Sequence, residues 1–447
     1  MRSSCLLVIL TILVCGRCAI AQLPSTPATS ARTAQLASSS ATMSLTLKEA
    51  ETIALRSNPQ IAIGELRALV AQQFVREQRS ALLPNAYLSL TAVDANPGSR
   101  IAAGYLNNPS LFPRAAGGVT VGQLVTDFGR TTNLLSSAKY GAKAEDENAT
   151  ATRAQIILAV DQAFYNSLET EALMRVANET VNARQTFVDK IQALTGAKLK
   201  SDIDLSFAKV DEARAELLLL EARNNYDASV ASLSAILGYP DQQNLQLVEE
   251  TSNIVAPPVD VNPLIVEAIQ QRPEIAALKN EVESAHKSAS AEHDLWRPTI
   301  TALSVVGQAP VRDDAIPSWY GAVGVNVNIP VFNGFLYNAR AKAADLQTDV
   351  NRQRLLDFQN NLARDVRDAW HDSNRSFERL SVTKQLREQA DLALALAQAR
   401  YNLGLGSIVE FTQAELQKTE ADIADTDARY QYRLSLVLLA FVTATPH

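Results

Sequence analysis

The chain has 447 residues, with 41 Lys and Arg against 48 Asp and Glu for a net charge of −7, and such a balance offers nucleic acid no basic footprint. All three cysteines, Cys5, Cys15 and Cys18, lie at the extreme start, so the remainder has neither a disulfide framework nor a thiol ligand set. The best later apolar run, Leu434 to Val442, is far short of the roughly 20 residues a spanning helix needs, which excludes a helical membrane anchor.

Arg2, the apolar run Cys5 to Val14 and the small-x-small triplet Ala19-Ile20-Ala21 predict a secretory signal over 1–21. Val14 and Arg17 precede the two later cysteines, so no lipoprotein is expected. Removing Arg2 and Arg17 takes the net charge to about −9 by the same counting. A flexible segment, 22–44, comes next. A helix over about 46–82 is broken off before Pro84, and strands over about 85–94 and 118–127 flank a loop rich in Gly, Pro and Asn. A proline-free helical stretch, about 130–195, would reach roughly 100 Å. A tight turn near Gly196 leads to a half-length helix, about 203–237, ended by Leu237-Gly238-Tyr239-Pro240. Residues 240–262, with Ala256-Pro257-Pro258, form a linker.

The rest of the chain repeats this order, a duplication that organises the whole sequence. Asn58-Pro59-Gln60-Ile61 is echoed at a shift of 214 by Arg272-Pro273-Glu274-Ile275. Ala163-Phe164-Tyr165-Asn166-Ser167 is echoed at a shift of 206 by Ala369-Trp370-His371-Asp372-Ser373. The first copy is 45–239 and the second 263–443, with a short tail, 444–447. The second copy's helices are expected over 263–296, 336–402 and 408–443, and its strands over 299–307 and 320–331. Steps of four and three from Ile156 meet Val160, Ala163, Ser167, Ala177, Arg184, Val188 and Ile191; the same steps from Leu362 meet Val366, Ala369, Ser373, Thr383, Ala390 and Ala397. The seam is heptad-like but small, which lets many helices pack side by side. An ordinary antiparallel coiled coil fits the periodicity equally well.

Gly321 to Val331 alternates Val323, Val325, Val327, Ile329 and Val331 with Gly324, Asn326, Asn328 and Pro330. One apolar face and one small polar face suit a barrel strand between lipid and water. The strand at 85–94 alternates more weakly, Gln123 interrupts the apolar face of the next, and 299–307 alternates poorly. Tyr87, Phe112, Trp319, Tyr320, Phe332 and Phe335 lie where a membrane-interface belt would sit. A soluble four-stranded sheet is the other reading. Four strands cannot close a barrel, and an open sheet in lipid leaves unpaired backbone groups at its edges. If the strands are in a membrane, several chains share one barrel.

The duplication, the opening Leu45-Thr46-Leu47-Lys48-Glu49-Ala50 with Asn58-Pro59, the triplet Phe332-Asn333-Gly334, and Arg400-Tyr401-Asn402-Leu403-Gly404 followed by Ile408-Val409-Glu410 together resemble the TolC outer-membrane efflux family over Leu45 to about Thr443. The resemblance implies a mainly α protein with a membrane β-barrel portion: a homotrimer whose twelve strands close one barrel in outer-membrane lipid, continued by a periplasmic α-helical barrel. It implies a tip at the two turns, with Gly196, Lys198, Leu403, Gly404, Leu405, Gly406 and Ser407 docking a periplasmic adaptor (membrane fusion) protein. Tyr401 and Asp204 stand where family members tie helix pairs closed, Glu410 where a carboxylate from each chain rings the mouth, and Gln413 where some carry a second carboxylate. Gly406 replaces a basic residue found in some members. Both departures predict fewer ionic ties, with Lys198 and Lys200 as candidate substitutes.

The implied function is passive conduction from an inner-membrane pump of RND, ABC or MFS type, through the adaptor, to the exterior, as in tripartite efflux or type I secretion. No cofactor is expected, and no phosphate-cradling glycine motif is present. The alternative is a soluble periplasmic coiled-coil scaffold or adaptor. An enzyme has least support: His286 and His293, near Glu283 and Glu292, match no usual metal-ligand spacing.

Overall fold

The computed structural model describes residues 43–93, 114–249, 255–309 and 318–445. In chain order these form β1 (Met43–Leu45), α1 (Leu47–Ser57), α2 (Pro59–Ser80), β2 (Asn85–Val93), β3 (Arg114–Thr126), α3 (Arg130–Gly196), α4 (Asp202–Ile236) and β4 (Leu245–Leu247). Then come α5 (Asn262–Gln271), α6 (Pro273–His293), β5 (Thr299–Gln308), β6 (Trp319–Asn328), α7 (Leu336–Asn402) and α8 (Ile408–Thr443). The two 67-residue helices, α3 and α7, begin and end 206 positions apart, the shift visible in the sequence.

The single helix expected over 46–82 is two helices, and so is the one over 263–296. Asn58 is extended (φ −70°, ψ 123°) and so is Arg272 (φ −64°, ψ 125°), because each precedes a proline whose ring disfavours the helical conformation one residue earlier. Each break is also a docking point. Asn58 Oδ1 accepts from Gln60 N at 2.9 Å and its Nδ2 donates to the Ile236 carbonyl at 2.8 Å. Arg272 grips Glu274 through two hydrogen bonds, 2.9 and 2.6 Å, and donates to the Phe441 carbonyl at 2.8 Å. The two copies thus close onto the ends of α4 and α8 by different chemistry at equivalent places.

The core repeats as well. Leu45, Ala54, Val160, Ala163, Phe164, Leu233 and Leu237 pack together in the first copy, and Ile265, Ala268, Val366, Ala369, Leu439 and Val442 in the second. Of the small seam, Ala163, Ser167, Ala177, Ala369, Ser373, Ala390 and Ala397 are buried. A small residue at the contact lets α3 and α7 each lie against more than one neighbour at close range.

The four long strands form one antiparallel sheet in the order β2-β3-β5-β6. Its register pairs Leu88 with Val119, Val119 with Val306 and Val306 with Gly321. By the two-residue alternation of a strand, Trp319, Val323, Val325 and Val327 share one face, and Tyr320, Gly324, Asn326 and Asn328 the other. β6 stops at Asn328, short of the expected 331, since Pro330 has no N–H to give the ladder. β3 begins at Arg114, four residues before the expected 118. Gln123 does not spoil its face: its amide turns back to donate to the carbonyls of Leu82 (3.0 Å) and Leu124 (2.7 Å).

Candidate functional site

At the end of the long helices remote from the sheet, two turns lie together. The first, 197–201, and the second, 403–407, close in the same way: Leu199 N donates to the Leu194 carbonyl at 2.8 Å and Leu405 N to the Arg400 carbonyl at 2.9 Å. Such a helix end needs one left-handed residue. In the second turn it is Gly404 (φ 74°); in the first it is Lys198 (φ 59°) and not Gly196, around which a Cβ would meet nothing. Ser201 and Ser407 then start α4 and α8, each hydroxyl accepting a backbone N–H at 3.2 Å. The apices are apolar: Leu199, Leu403 and Leu405 are 71, 74 and 70% exposed.

Tyr401 is the buried centre of the tip. Its ring stacks on Phe411 at 5.7 Å and meets Phe187 at 5.9 Å, and Lys200 Nζ lies 3.8 Å from its centroid. Val188, Ile191, Ala208 and Ile408 complete the cluster, so all four helices of the two hairpins contribute. The Tyr401 hydroxyl has no hydrogen-bond partner within the described chain. Burial, aided by the charge of Asp204, pushes its pKa up to about 12. Asp204 is therefore near, but the two side chains make no bond inside one chain. Glu410 is half-exposed and pairs with Arg400, Oε1 to Nε 3.0 Å. A side chain at Gly406 would crowd both partners, Glu410 Oε2 at 3.1 Å and Arg400 Cβ at 3.2 Å. The glycine thus makes room for the pair, and with Lys200 on Tyr401 and Lys190 bonded to Asn402 at 3.0 Å the tip is not short of ties. Lys200 is thus one of the expected substitutes in place, Lys198 serves the turn by its left-handed backbone, and Lys190 and Arg400 add cations that were not expected. Gln413 is exposed, beside Thr412 and Leu416 in a cleft of about 130 Å³.

That cleft leads to a pair the sequence reading missed. Arg184 of α3 and Glu415 of α8 form an ion pair with side chains only 10 and 7% exposed, and Arg184 Nη2 also donates to Thr419 Oγ1 at 3.5 Å. Burial outweighs Arg184 and raises the Glu415 pKa to about 7. The signal was present: Arg184 occupies a buried seam position whose counterpart is Ala390.

At the other end, Trp319, 68% exposed, stands on the valine face where the sheet is farthest from the helices. Phe332 and Phe335, T-shaped at 6.0 Å, flank the near end. Tyr87 and Tyr320 do not belong with them. Pairing of Tyr87 with Thr120, and the Tyr320 ring lying over Gly118 and Gly307, put both on the asparagine face. Phe112 lies outside the described residues. Among the described residues no three His, Cys, Asp or Glu side chains gather as a metal site; His293 instead contacts Asp345 at 3.1 Å. No helix of the described residues is long and apolar enough to cross a membrane.

The profile of the family described as "Outer membrane efflux protein" matches residues 52–239 and 264–445. The chain belongs to that family. The two matched stretches follow the duplication and break at the linker. Outer membrane protein TolC of Salmonella enteritidis is 23% identical over 430 residues, covering 90% of this chain and 83% of the relative. Outer membrane protein OprJ of Pseudomonas aeruginosa is 22% identical over 411 residues, covering 88 and 82%. Among solved structures, the Campylobacter jejuni CmeC outer membrane channel superposes with a TM-score of 0.78 over 89% of this chain and 85% of that one, at 16% identity. This outer membrane efflux protein therefore shares the channel fold: long helices continued by a small antiparallel sheet.

Proposed function

We propose that three copies close into one duct, with the sheets forming a twelve-stranded barrel in the outer membrane and the hairpins a periplasmic tunnel, through which solutes pass without chemistry. The observation that carries this reading is the sheet. Among the described residues its outer strands, β2 and β6, each have one neighbour, and Val323 and Val325 on its apolar face are 86 and 67% exposed. A lipid-facing sheet cannot leave an edge open, so the strands of further copies must supply the missing pairs. The two flanks differ, β2 on one and β6 on the other, so the contact is head-to-tail and closes as a ring. Membership of a family described as efflux proteins supports an inner-membrane pump and a periplasmic adaptor as partners, with the adaptor on the exposed leucines of the tip. Glu410, one from each copy, stands at the mouth.

Outer-membrane fractionation and planar-bilayer conductance test this. The mature protein should need detergent for extraction, run as a trimer and form cation-preferring pores whose preference falls in Glu410→Ala. A water-soluble monomer overturns the duct, and unchanged selectivity removes Glu410 from the mouth.

A further inference from the structure

Past the middle of the long helices α8 packs against both α3 and α7, and the three helices line a cavity of about 520 Å³, a size that suits a small ligand. Its charged lining is four cations, Arg175 of α3, Lys384 of α7 and Arg429 and Arg433 of α8, against two acids, Asp425 of α8 and Glu249 just past β4. Both acids are already engaged. Asp425, its side chain 6% exposed, is shared between Arg429 at 2.7 Å and Arg387 at 3.2 Å. Glu249 pairs with Arg433 at 2.9 Å and accepts from the Tyr430 hydroxyl at 3.3 Å. Among the described residues neither Arg175 nor Lys384 has an ion-pair partner, so the cavity presents two cations that the chain itself leaves uncompensated.

The fold does not ask for these charges. α3 and α7, and the starts of α4 and α8, are 206 positions apart. At that shift Arg175 becomes Ser381, Lys384 becomes Asn178, Arg433 becomes Asp227 and Asp425 becomes Leu219; of the four cations only Arg429 keeps its charge, as Arg223. The same helices are thus built in the other copy without the cluster. Like charges gathered at one cavity repel each other, a cost that nothing in the packing offsets and a bound anion would. Guanidinium groups are planar forks that take phosphate or carboxylate oxygens two at a time. At 1.5 Å per residue Arg175 stands roughly 70 Å along α3 from the sheet, so a sheet in the membrane, as proposed above, keeps lipid headgroups out of reach. We propose that this cavity binds a small soluble oxyanion bearing several phosphate or carboxylate groups, held by Arg175 and Lys384 and fastening α3 to α7 across α8.

The test is calorimetric titration of the mature chain, purified in detergent in metal-free buffer at fixed ionic strength, with pyrophosphate and separately with citrate. Saturable binding of at least one probe is expected, and the tighter of the two names the oxygen chemistry. Arg175→Ser with Lys384→Asn installs the residues that the other copy holds at these places, and should weaken that probe roughly tenfold or more. Lys384→Arg, which keeps the charge, should bind it as wild type does. Failure of both probes to bind the wild-type chain overturns the proposal, and so does equal affinity in the double variant. If the double variant does not fold by circular dichroism, Arg175→Gln alone is read in the same way. The cavity is built within one chain, so a protein that binds the anion but forms no pore defeats the duct and leaves this site standing.

Discussion

The sheet and the tip sit at opposite ends of the same pair of 67-residue helices and are held by opposite means. In the sheet the ladders pair residue for residue save one irregularity between Leu124 and Thr126, yet among the described residues the outer strands are single-sided and the valine face is bare. The tip buries an aromatic cluster from four helices and an ion pair within one chain. The difference teaches that one end is a fragment awaiting copies while the other is a finished local structure, so damage at the two ends should appear in different measurements.

The largest expected effect breaks the sheet. Val323→Arg places a charge at the middle of the exposed face, at a cost of roughly 2–4 kcal/mol per copy in lipid, hence about 6–12 kcal/mol in a ring of three. Outer-membrane trimers should vanish from fractionation gels while the helical content of the isolated chain by circular dichroism stays. At the tip the reverse holds. Arg184→Ala leaves Glu415 buried alone and should lower thermal stability by about 3–5 kcal/mol, whereas Arg184→Met with Glu415→Leu should recover most of it. If the double change is as damaging as the single one, the cost is the loss of the pair itself and not the stranding of Glu415. A smaller effect is expected inside the sheet. A Cβ at Gly307 would lie 2.5 Å from Tyr320 Cζ and 2.6 Å from the Gly117 carbonyl oxygen, so Gly307→Ala should cost about 1–3 kcal/mol by overpacking, and adding Tyr320→Ser should relieve only the ring's share of it.

How much of each end was legible follows from the kind of signal. The duplication, both 67-residue helices and the valine-asparagine strand announce themselves because periodicity and proline are local. The breaks at Asn58 and Arg272 were visible as Asn-Pro and Arg-Pro but were read as continuous helix, since a proline at a helix start and one inside a helix look alike until the docking partners, the Ile236 and Phe441 carbonyls, are known. Tyr87 and Tyr320 were placed at the lipid interface because aromatic identity was read without strand parity. Arg184–Glu415 was missed because its members are distant in sequence and only the fold brings α3 and α8 together.

The waist offers the finest test of the comparison, because it belongs to neither end. Asp161 is 1% exposed, and one of its carboxylate oxygens has no hydrogen-bond partner among the described residues. Burial, reinforced by the neighbouring Glu51 carboxyl, raises its pKa from 3.8 to about 7. The folded chain therefore holds a proton that the unfolded chain has lost above its ordinary carboxylate range, and stability must fall as pH rises from about 4 to 7. Between pH 6 and pH 8 this one group should cost about 1.4 kcal/mol, the worth of one unit of pKa. Asp161→Asn should remove that slope in thermal melts, leaving whatever the other acids contribute. Asp161 packs between α1 and α3 of a single chain, so the slope should be the same before and after assembly. A slope that appears only in the trimer would mean that the waist, too, is completed by its neighbours, and that the finished region of the chain is confined to the tip.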